Sequence, residues 1–488
     1  MRTKPFYLLL LCGALLASSA CTERLPKESR AVSEQAVIFP DYTAVTVPPN
    51  VAPLNFQLES PHVEAFVRLT VGDEELVVKE RGGSFHLPAD AWKRLLEVAK
   101  GKTIEVQLYA KEKEWVAYPA FPIHVAKEPM DPYIAYRLIA PGYELWNQMG
   151  IYQRDVKGFG QKPIMENQYT DRNCMNCHSF CARNPRKMLF HMRDKHAGTY
   201  LIDGDRVEKL NTKTDRTISP LVYPSWHPAG RYVAFSVNET SQAFHANDKN
   251  RVEVFDRRSD VVVYDTERHE IVGPPLLRME GAFETFPTFS ADGGTLYFCT
   301  AEARQMPEAF KEVRYSLCSI AFDPERGTFG SRIDTLYNAR EGYSVSFPRV
   351  SPDGRFLLYT RSGYGNFSIW HKDADLWMID LESRESFPLE AANSDDVESY
   401  HAWSGNSRWI VFSSRRMDGL YTRLYFAYID ERGRAAKPFL LPQEDPGFYR
   451  RFMKSYNIPE FIEGEVPSHI RTLKRVARED GSGVGFRE

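Results

Sequence analysis

The stretch "DRNCMNCHSF", residues 171–180, places Cys174, Cys177 and His178 in the spacing C-x-x-C-H. Two thiols three positions apart can each add to one vinyl group of a haem, which forms two thioether bonds. The histidine that follows is then held close to the iron, where a ring nitrogen can ligate it. The motif therefore predicts one covalently attached haem c, with Cys174 and Cys177 as attachment points and His178 as an iron ligand.

Two other sites built from cysteine and histidine are less compatible with the sequence. A structural zinc site needs two further Cys or His ligands, and the chain has no second C-x-x-C. A thioredoxin-like redox disulfide needs a βαβ pattern around the cysteines, which is missing here. Covalent haem is the chemistry that this spacing favours.

The sixth position of the iron needs a second protein ligand, a water or an open site. Met188, His191, Met192 and His196 are the nearest residues that could ligate it. In an extended strand Met188 and His191 lie on opposite faces, so only one of them can reach the iron. We predict His191, and Met188 and His196 are the alternatives.

The N-terminus predicts where the protein is located. Arg2 and Lys4 precede the apolar run "FYLLLLCGALLA" and the small residues "SSA", a pattern typical of an export signal over residues 1–20. Small residues before Cys21 favour lipidation of that thiol, with 21–33 as a polar tether, and a plain secretory signal cut after Ala20 is the alternative. We expect a Gram-negative envelope protein that is attached to a membrane through its lipid and faces the periplasm or the cell surface.

Length and charge restrict the class of protein. The 488 residues exceed one ordinary core, so two or three domains are expected. A net charge of −3 without a long basic run argues against a nucleic-acid partner. Residues 34–128 contain short alternating runs such as "AFVRLTV" and "TIEVQLYA", which predict a β-sandwich, and "ADAWKRLLEVAKG" predicts one helix within it.

From about residue 220 the chain repeats a pattern of aromatic start, tight turn and alternating strand. Four copies are evident: "YPSWHPAGRYVAFS" (223–236), "FPTFSADGGTLYFCT" (286–300), "FPRVSPDGRFLLYTRS" (347–362) and "YHAWSGNSRWIVFSS" (400–414). Further strands ending in Asp follow several of them, so each repeat has the strand content of one propeller blade. The fold class predicted is therefore all-β, a β-sandwich followed by a β-propeller.

A fifth repeat contains the C-x-x-C-H motif. Aligning "NPRKMLFHMR" (184–193) with "PDGRFLLYTR" (352–361) places Lys187 on Arg355 and His191 on Tyr359. The motif then occupies the slot that holds "YPSW" or "FPRV" in other repeats. We predict a propeller over 129–460 with the haem segment at 165–200 in an early blade, and a C-terminal tail over 461–488. Six blades are favoured, with five or seven as alternatives.

These repeats resemble those of the TolB-type (WD-repeat-like) propellers, whose blades carry the same S-P-D-G signature before an apolar strand. The chain is similar to exported, lipidated members of this group that carry a single c-type haem motif. The resemblance implies an electron-transfer protein that works with a redox partner protein in the cell envelope.

Two alternatives to electron transfer remain open. One is an envelope interaction scaffold, and the other is a haem-dependent enzyme or sensor acting on a small molecule. No H-E-x-x-H or G-x-S-x-G signature supports an enzyme, so an electron carrier is favoured. Cys299 and Cys318, on successive strands, are either a cross-strand disulfide or two buried thiols.

Overall fold

A computed structural model describes residues 24–140 and 148–488. The export signal, Cys21 and the first part of the tether lie outside the described residues. Among the described residues, no helix is long and apolar enough to cross a membrane.

The N-terminal region is one large sheet with a helix against it. Its strands and helix are β1 (Arg30–Ala31), β2 (Ile38–Phe39), β3 (Thr46–Val47), β4 (Gln57–Leu58), β5 (Glu64–Val71), β6 (Glu74–Lys79), α1 (Ala89–Ala99), β7 (Thr103–Lys111), β8 (Trp115–Ala117) and β9 (Phe121–Val125). Seven strands form the order β1-β8-β7-β5-β6, with β9 pairing β7 and β3 pairing β9, whereas β2 and β4 form a separate pair. The strands predicted for residues 34–128 are present as this large sheet and the β2-β4 pair, and their description as a β-sandwich stays a prediction. The predicted helix is confirmed as α1, which buries Trp92, Leu95, Leu96 and Ala99.

The rest of the chain folds into successive four-stranded antiparallel units. Unit 1 begins with β10 (Tyr133–Ile139), β11 (Met149–Asp155) and β12 (Gln161–Glu166). Unit 2 contains β13 (Met175–Phe180), β14 (Lys187–Met192), β15 (Gly198–Asp203) and β16 (Arg206–Asn211). Unit 3 contains β17 (Val222–Trp226), β18 (Tyr232–Phe244), β19 (Val252–Asp265) and β20 (Glu270–Val272).

Three further units follow in the same order. Unit 4 contains β21 (Ala282–Phe289), β22 (Thr295–Glu302), β23 (Ser316–Asp323) and β24 (Thr328–Tyr337). Unit 5 contains β25 (Ser344–Val350), β26 (Phe356–Ser362), β27 (Asp375–Asp380) and β28 (Ser386–Pro388). Unit 6 contains β29 (Glu398–Trp403), β30 (Trp409–Ser414), β31 (Arg423–Tyr428) and β32 (Phe439–Leu440).

The C-terminal segment closes the ring of units. After α2 (Phe448–Arg451), strand β33 (Ser455–Ile462) pairs with β10 and completes unit 1. Each innermost strand, in the order β13, β17, β21, β25, β29 and β33, contacts the next, and β33 contacts β13. The described strands therefore form a closed β-propeller around a central channel, in an all-β fold.

The number of separate sheets is lower than the six blades that the sequence predicts. The propeller strands fall into five hydrogen-bonded sheets, because units 3 and 4 are joined through a parallel bridge between Ser259 and Phe283. The predicted tail at 461–488 contributes to the fold as well. It contains the end of β33, α3 (Ile470–Val476), β34 (Ser482–Gly483) and β35 (Gly485–Arg487), and its last two strands pair in parallel with β16 and β20.

Apolar side chains fill the spaces between neighbouring units. Met188, Phe190 and Met192 of β14 face unit 1, in a cluster that also contains Ile151 and Ile462. Leu189 of the same strand faces unit 3 and packs in a cluster with Trp226 and Val233. This alternation along β14 follows from strand geometry, and it decides which way each side chain near the C-x-x-C-H motif points.

Candidate functional site

The C-x-x-C-H motif lies at the start of β13, the innermost strand of unit 2. Cys177 and His178 form a bulge there, because the pairing with β14 shifts between Asn176 and Ser179. Cys177 takes a left-handed φ of 53°. The residues of the motif thus lie in unit 2, at the position that Tyr-Pro or Phe-Pro occupies in other units.

The same bulge recurs in every innermost strand. The first residue of each bulge, called here a bulge residue, has a φ between 47° and 53°; the set is Cys177, Tyr223, Phe286, Phe347, Tyr400 and Ile458. The residue after it is Pro in four units and His in the other two, His178 and His401. The dipeptides Tyr-Pro, Phe-Pro, Tyr-His, Ile-Pro and Cys-His are thus equivalent, and this is a sequence signal for the motif's position.

The bulge residues meet at the centre of the propeller. The ring centroids of Tyr223 and Phe286 are 4.7 Å apart, those of Phe286 and Phe347 are 4.1 Å apart, and those of Phe347 and Tyr400 are 5.0 Å apart. Cys177 adjoins the backbone of Tyr223. The Cys177 thiol is therefore held beside a cluster of aromatic rings in the channel.

The three residues of the motif are buried and chemically available. Cys174, Cys177 and His178 are 8%, 3% and 1% exposed, and both cysteines are free thiols. Neither ring nitrogen of His178 has a hydrogen-bond partner among the described residues. Burial, with a smaller effect of the Arg137 guanidinium, lowers the pKa of His178 to about 3, so the imidazole is neutral and its lone pair is free to bind a metal.

His178 points towards unit 1. Its ring lies beside the backbone of Ile458 on β33 and 6.2 Å, centroid to centroid, from the ring of Phe180. His401, the equivalent residue of unit 6, also points towards the unit before it, where its Nε2 lies 3.2 Å from the carbonyl oxygen of Leu358. At His178 the backbone of Ile458 takes the corresponding place, but neither ring nitrogen makes a well-aligned hydrogen bond with the described residues.

His191 is on the other side of unit 2. It follows Leu189 by two positions on β14 and so faces unit 3. The structure thus does not bring His191 and His178 to one site.

The predicted alignment of His191 with Tyr359 is off by one residue. His191 pairs with Asn176 as Thr360 pairs with Ser346, so Thr360 is its equivalent.

The alternative ligands have other surroundings. His196 is held by two contacts, Nδ1 to the carbonyl oxygen of Ala477 and Nε2 to Asp171, both at 2.9 Å. Met188 is fully buried in the core between units 1 and 2. Cys299 and Cys318 are free thiols that belong to different core clusters, on opposite faces of unit 4, so the structure has buried thiols rather than the disulfide alternative.

The residues of the motif fit a haem by their chemistry. No group of three or more His, Cys, Asp or Glu within 24–140 and 148–488 could hold a metal ion. A haem iron needs only one or two protein ligands, because the macrocycle supplies the others. Two free thiols beside a neutral imidazole without a partner are the donor set of such a site.

Comparisons with known proteins show structural similarity only. No protein-family model matches the chain, and no curated protein matches it. Among solved structures, TolB from Acinetobacter baumannii has 14% identity and a TM-score of 0.41, covering 77% of this chain and 85% of that one. The periplasmic gluconolactonase PpgL of Pseudomonas aeruginosa has 16% identity and a TM-score of 0.34, covering 66% and 98%. A puromycin-hydrolyzing peptidase of Mycobacterium tuberculosis has 11% identity and a TM-score of 0.37, covering 64% and 52%.

Proposed function

We propose that this protein is an exported c-type cytochrome that carries one covalent haem and transfers single electrons. The observation that supports the proposal is the state of the motif inside the propeller. Cys174 and Cys177 are free thiols, and His178 is a buried imidazole whose two ring nitrogens make no well-aligned hydrogen bond within residues 24–140 and 148–488. A buried polar group without a partner is costly, so it points to a group that the described residues do not supply.

The chain's own residues would attach and ligate the haem. Each thiol, of Cys174 and of Cys177, would add across a vinyl group, with its sulfur bonding to one carbon and its hydrogen passing to the other. His178 would supply a neutral ring nitrogen as an iron ligand. The haem would supply one-electron oxidation and reduction at that iron.

Arg137 is a cation close enough to this site to affect both Cys177 and His178. It donates a hydrogen bond to the amide oxygen of Asn176, within the motif, while its buried Nε has no partner among the described residues. A haem propionate is an anion that such a guanidinium could pair with. The rigid strands around the motif would keep the ligand in place during electron transfer, which lowers the reorganisation that accompanies each step.

Two further features belong to this proposal. We infer that each four-stranded unit is one blade, which makes six blades around the closed ring of innermost strands. We also infer that the protein is exported and anchored through a lipid on Cys21, so that it meets a redox partner protein in the cell envelope. The polar stretch from Cys21 to the start of β1 would act as the tether, which is shorter than the predicted 21–33 because Arg30 and Ala31 pair with β8.

The proposal is tested by expression with a haem-c maturation system. The purified protein should stay coloured after acid–acetone extraction and give a haem-c haemochrome spectrum with pyridine. Cys174→Ser together with Cys177→Ser should abolish the covalent haem, whereas Cys299→Ser together with Cys318→Ser, a matched pair of buried thiols, should keep it. Covalent haem in the first double variant would overturn the proposal.

The ligand role of His178 has its own matched control. His401 occupies the equivalent position of unit 6 and has a partner at 3.2 Å. His178→Ala should change the visible spectrum of the attached haem, and His401→Ala should leave it unchanged. Equal spectra for the native protein and His178→Ala would show that another residue ligates the iron.

A further inference from the structure

A second region that could bind a ligand lies beside the bulge residues. Phe347, Tyr400 and Ile458 also line a cavity of about 200 Å³, which is bounded farther along by Trp226 and Trp403. None of Cys174, Cys177 and His178 lines this cavity. It is therefore a different space from the one that the thiols adjoin.

Polar residues line the cavity at one repeated position, two residues after each bulge residue. The set is Ser179, Ser225, Thr288, Arg349, Ala402 and Glu460, and all of them except Thr288 line the cavity. Four of the six are small, one is a guanidinium and one is a carboxyl group. At this repeated position the cavity has one basic and one acidic side chain. Arg183 also lines the cavity, but its guanidinium lies 3.4 Å from Glu463 and 3.9 Å from Asp131.

Arg349 and Glu460 do not pair with each other. The two groups attract each other, but within the described part of the chain no ion pair of 4.0 Å or less joins them, and unit 6 lies between the units that carry them. Glu460 accepts a hydrogen bond of 2.9 Å from the backbone N–H of Phe180 through Oε2. Arg349 donates one of 2.9 Å to the carbonyl oxygen of Pro348. Each charged group thus keeps binding capacity that the described residues do not use.

Both side chains are half-buried. Burial lowers the pKa of Arg349 and raises the pKa of Glu460 to about 7, and the attraction between the two groups opposes both shifts. Charged groups that are partly shielded from water and form no ion pair are poorly solvated, and a ligand that brings both counter-charges would stabilise them. A single ligand with one anionic and one cationic group matches Arg349 and Glu460 in charge.

We propose that this cavity binds a small zwitterion of the α-amino-acid class. Its carboxylate would pair with Arg349, whose planar guanidinium suits a two-pronged carboxylate. Its ammonium group would pair with Glu460, and the hydroxyls of Ser179 and Ser225 would accept or donate further hydrogen bonds. The site does not involve the haem motif, so its test and that of the haem are independent.

The test is calorimetric titration of the full chain with glycine and L-alanine, and with acetate and methylamine as ligands that carry only one of the two charges. The amino acids should bind measurably, and each single-charge ligand should bind at least about tenfold more weakly. Arg349→Gln and Glu460→Gln should each weaken amino-acid binding by about tenfold or more. Arg332→Gln and Glu325→Gln, at exposed positions of unit 4, should bind as the native protein does.

Three results would overturn the proposal. The first is that neither amino acid binds. The second is that acetate binds as tightly as glycine, which would indicate a simple anion site. The third is that binding is unchanged in both Arg349→Gln and Glu460→Gln, which would place the ligand elsewhere. Circular dichroism of each variant shows that the propeller remains folded.

Discussion

The pH dependence of the protein's stability tests the surroundings of one buried carboxyl group in the propeller. Glu284 on β21 is 0% exposed, and neither of its carboxyl oxygens has a hydrogen-bond partner among the described residues. Burial, with a further effect of the nearby Asp260 carboxylate, raises the pKa of Glu284 to about 8 from an ordinary value of 4.5. The carboxyl group is therefore neutral in the folded protein at neutral pH.

The effect on stability follows from the two pKa values. Between pH 4.5 and 8 the folded state holds a proton that the unfolded state loses, so the free energy of unfolding falls as the pH rises through this window. At about 1.4 kcal/mol for each pH unit, the loss is about 3 kcal/mol at pH 7 and on the order of 5 kcal/mol above pH 8. Glu284→Gln removes the titrating group and should remove this loss.

Glu398 is the matched control. It lies two residues before the bulge residue Tyr400, as Glu284 lies two residues before Phe286. Its Oε1 accepts hydrogen bonds from Ser394, Ser414 and Arg416 at 2.6, 2.8 and 2.8 Å. Glu398→Gln leaves the Arg416 guanidinium without its anion, so this variant should be less stable than the native protein at pH 7.

Scanning fluorimetry at pH 5, 7 and 9 measures both effects. The melting temperature of Glu284→Gln should match that of the native protein at pH 5 and exceed it increasingly at pH 7 and 9, whereas Glu398→Gln should melt lower at pH 7. The reasoning is refuted if the native protein and Glu284→Gln show parallel pH profiles.

Two further predictions concern single residues of the motif's surroundings and of the N-terminus. The sequence predicts His191 as the sixth iron ligand, but His191 faces unit 3 and His178 faces unit 1. We therefore expect His191→Ala to leave the haem spectrum unchanged. A change to a high-spin spectrum would instead support His191 as the ligand. Cys21→Ala should prevent incorporation of radiolabelled palmitate and release the protein from the membrane fraction, and equal membrane retention of variant and native protein would count against the lipid anchor.

The sequence predicts the repeating strands well because each repeat carries its own local signals. Alternating apolar residues and tight turns with Gly or Asp recur in each copy, and the resulting strands bury the expected faces. The slot of the C-x-x-C-H motif is predictable for the same reason, since Cys177 and His178 replace an aromatic-Pro pair such as Phe347 and Pro348.

The register of His191 could not be predicted from the alignment of repeats. In unit 2 the paired residues Phe180 and Met188 are separated by residues 181–187, whereas Val350 and Leu357 are separated by 351–356. An alignment without a gap ignores this extra residue, so it assigns every following side chain of unit 2 to the wrong face of the strand. Ala182 and Arg183, which have left-handed φ values, accommodate the extra residue. No local sequence pattern predicts these φ values.

The closing strand and the cavity charges depend on contacts distant in sequence. The segment "SYNIPEFI" of β33 pairs with β10 more than three hundred positions earlier. Only this closure brings Glu460 to the same cavity as Arg349. Composition and periodicity carry no information about such a pairing, although the dipeptide Ile458-Pro459 matches the other bulges.

Mass spectrometry of one tryptic peptide tests the central claim most directly. Cleavage after Arg172 and Arg183 releases residues 173–183, which contain Cys174, Cys177 and Cys181. In protein made with a haem-c maturation system, this peptide should carry the added mass of one haem, and alkylation should modify Cys181 alone. A peptide without haem, alkylated at all three cysteines, would contradict the assignment of this protein as a c-type cytochrome.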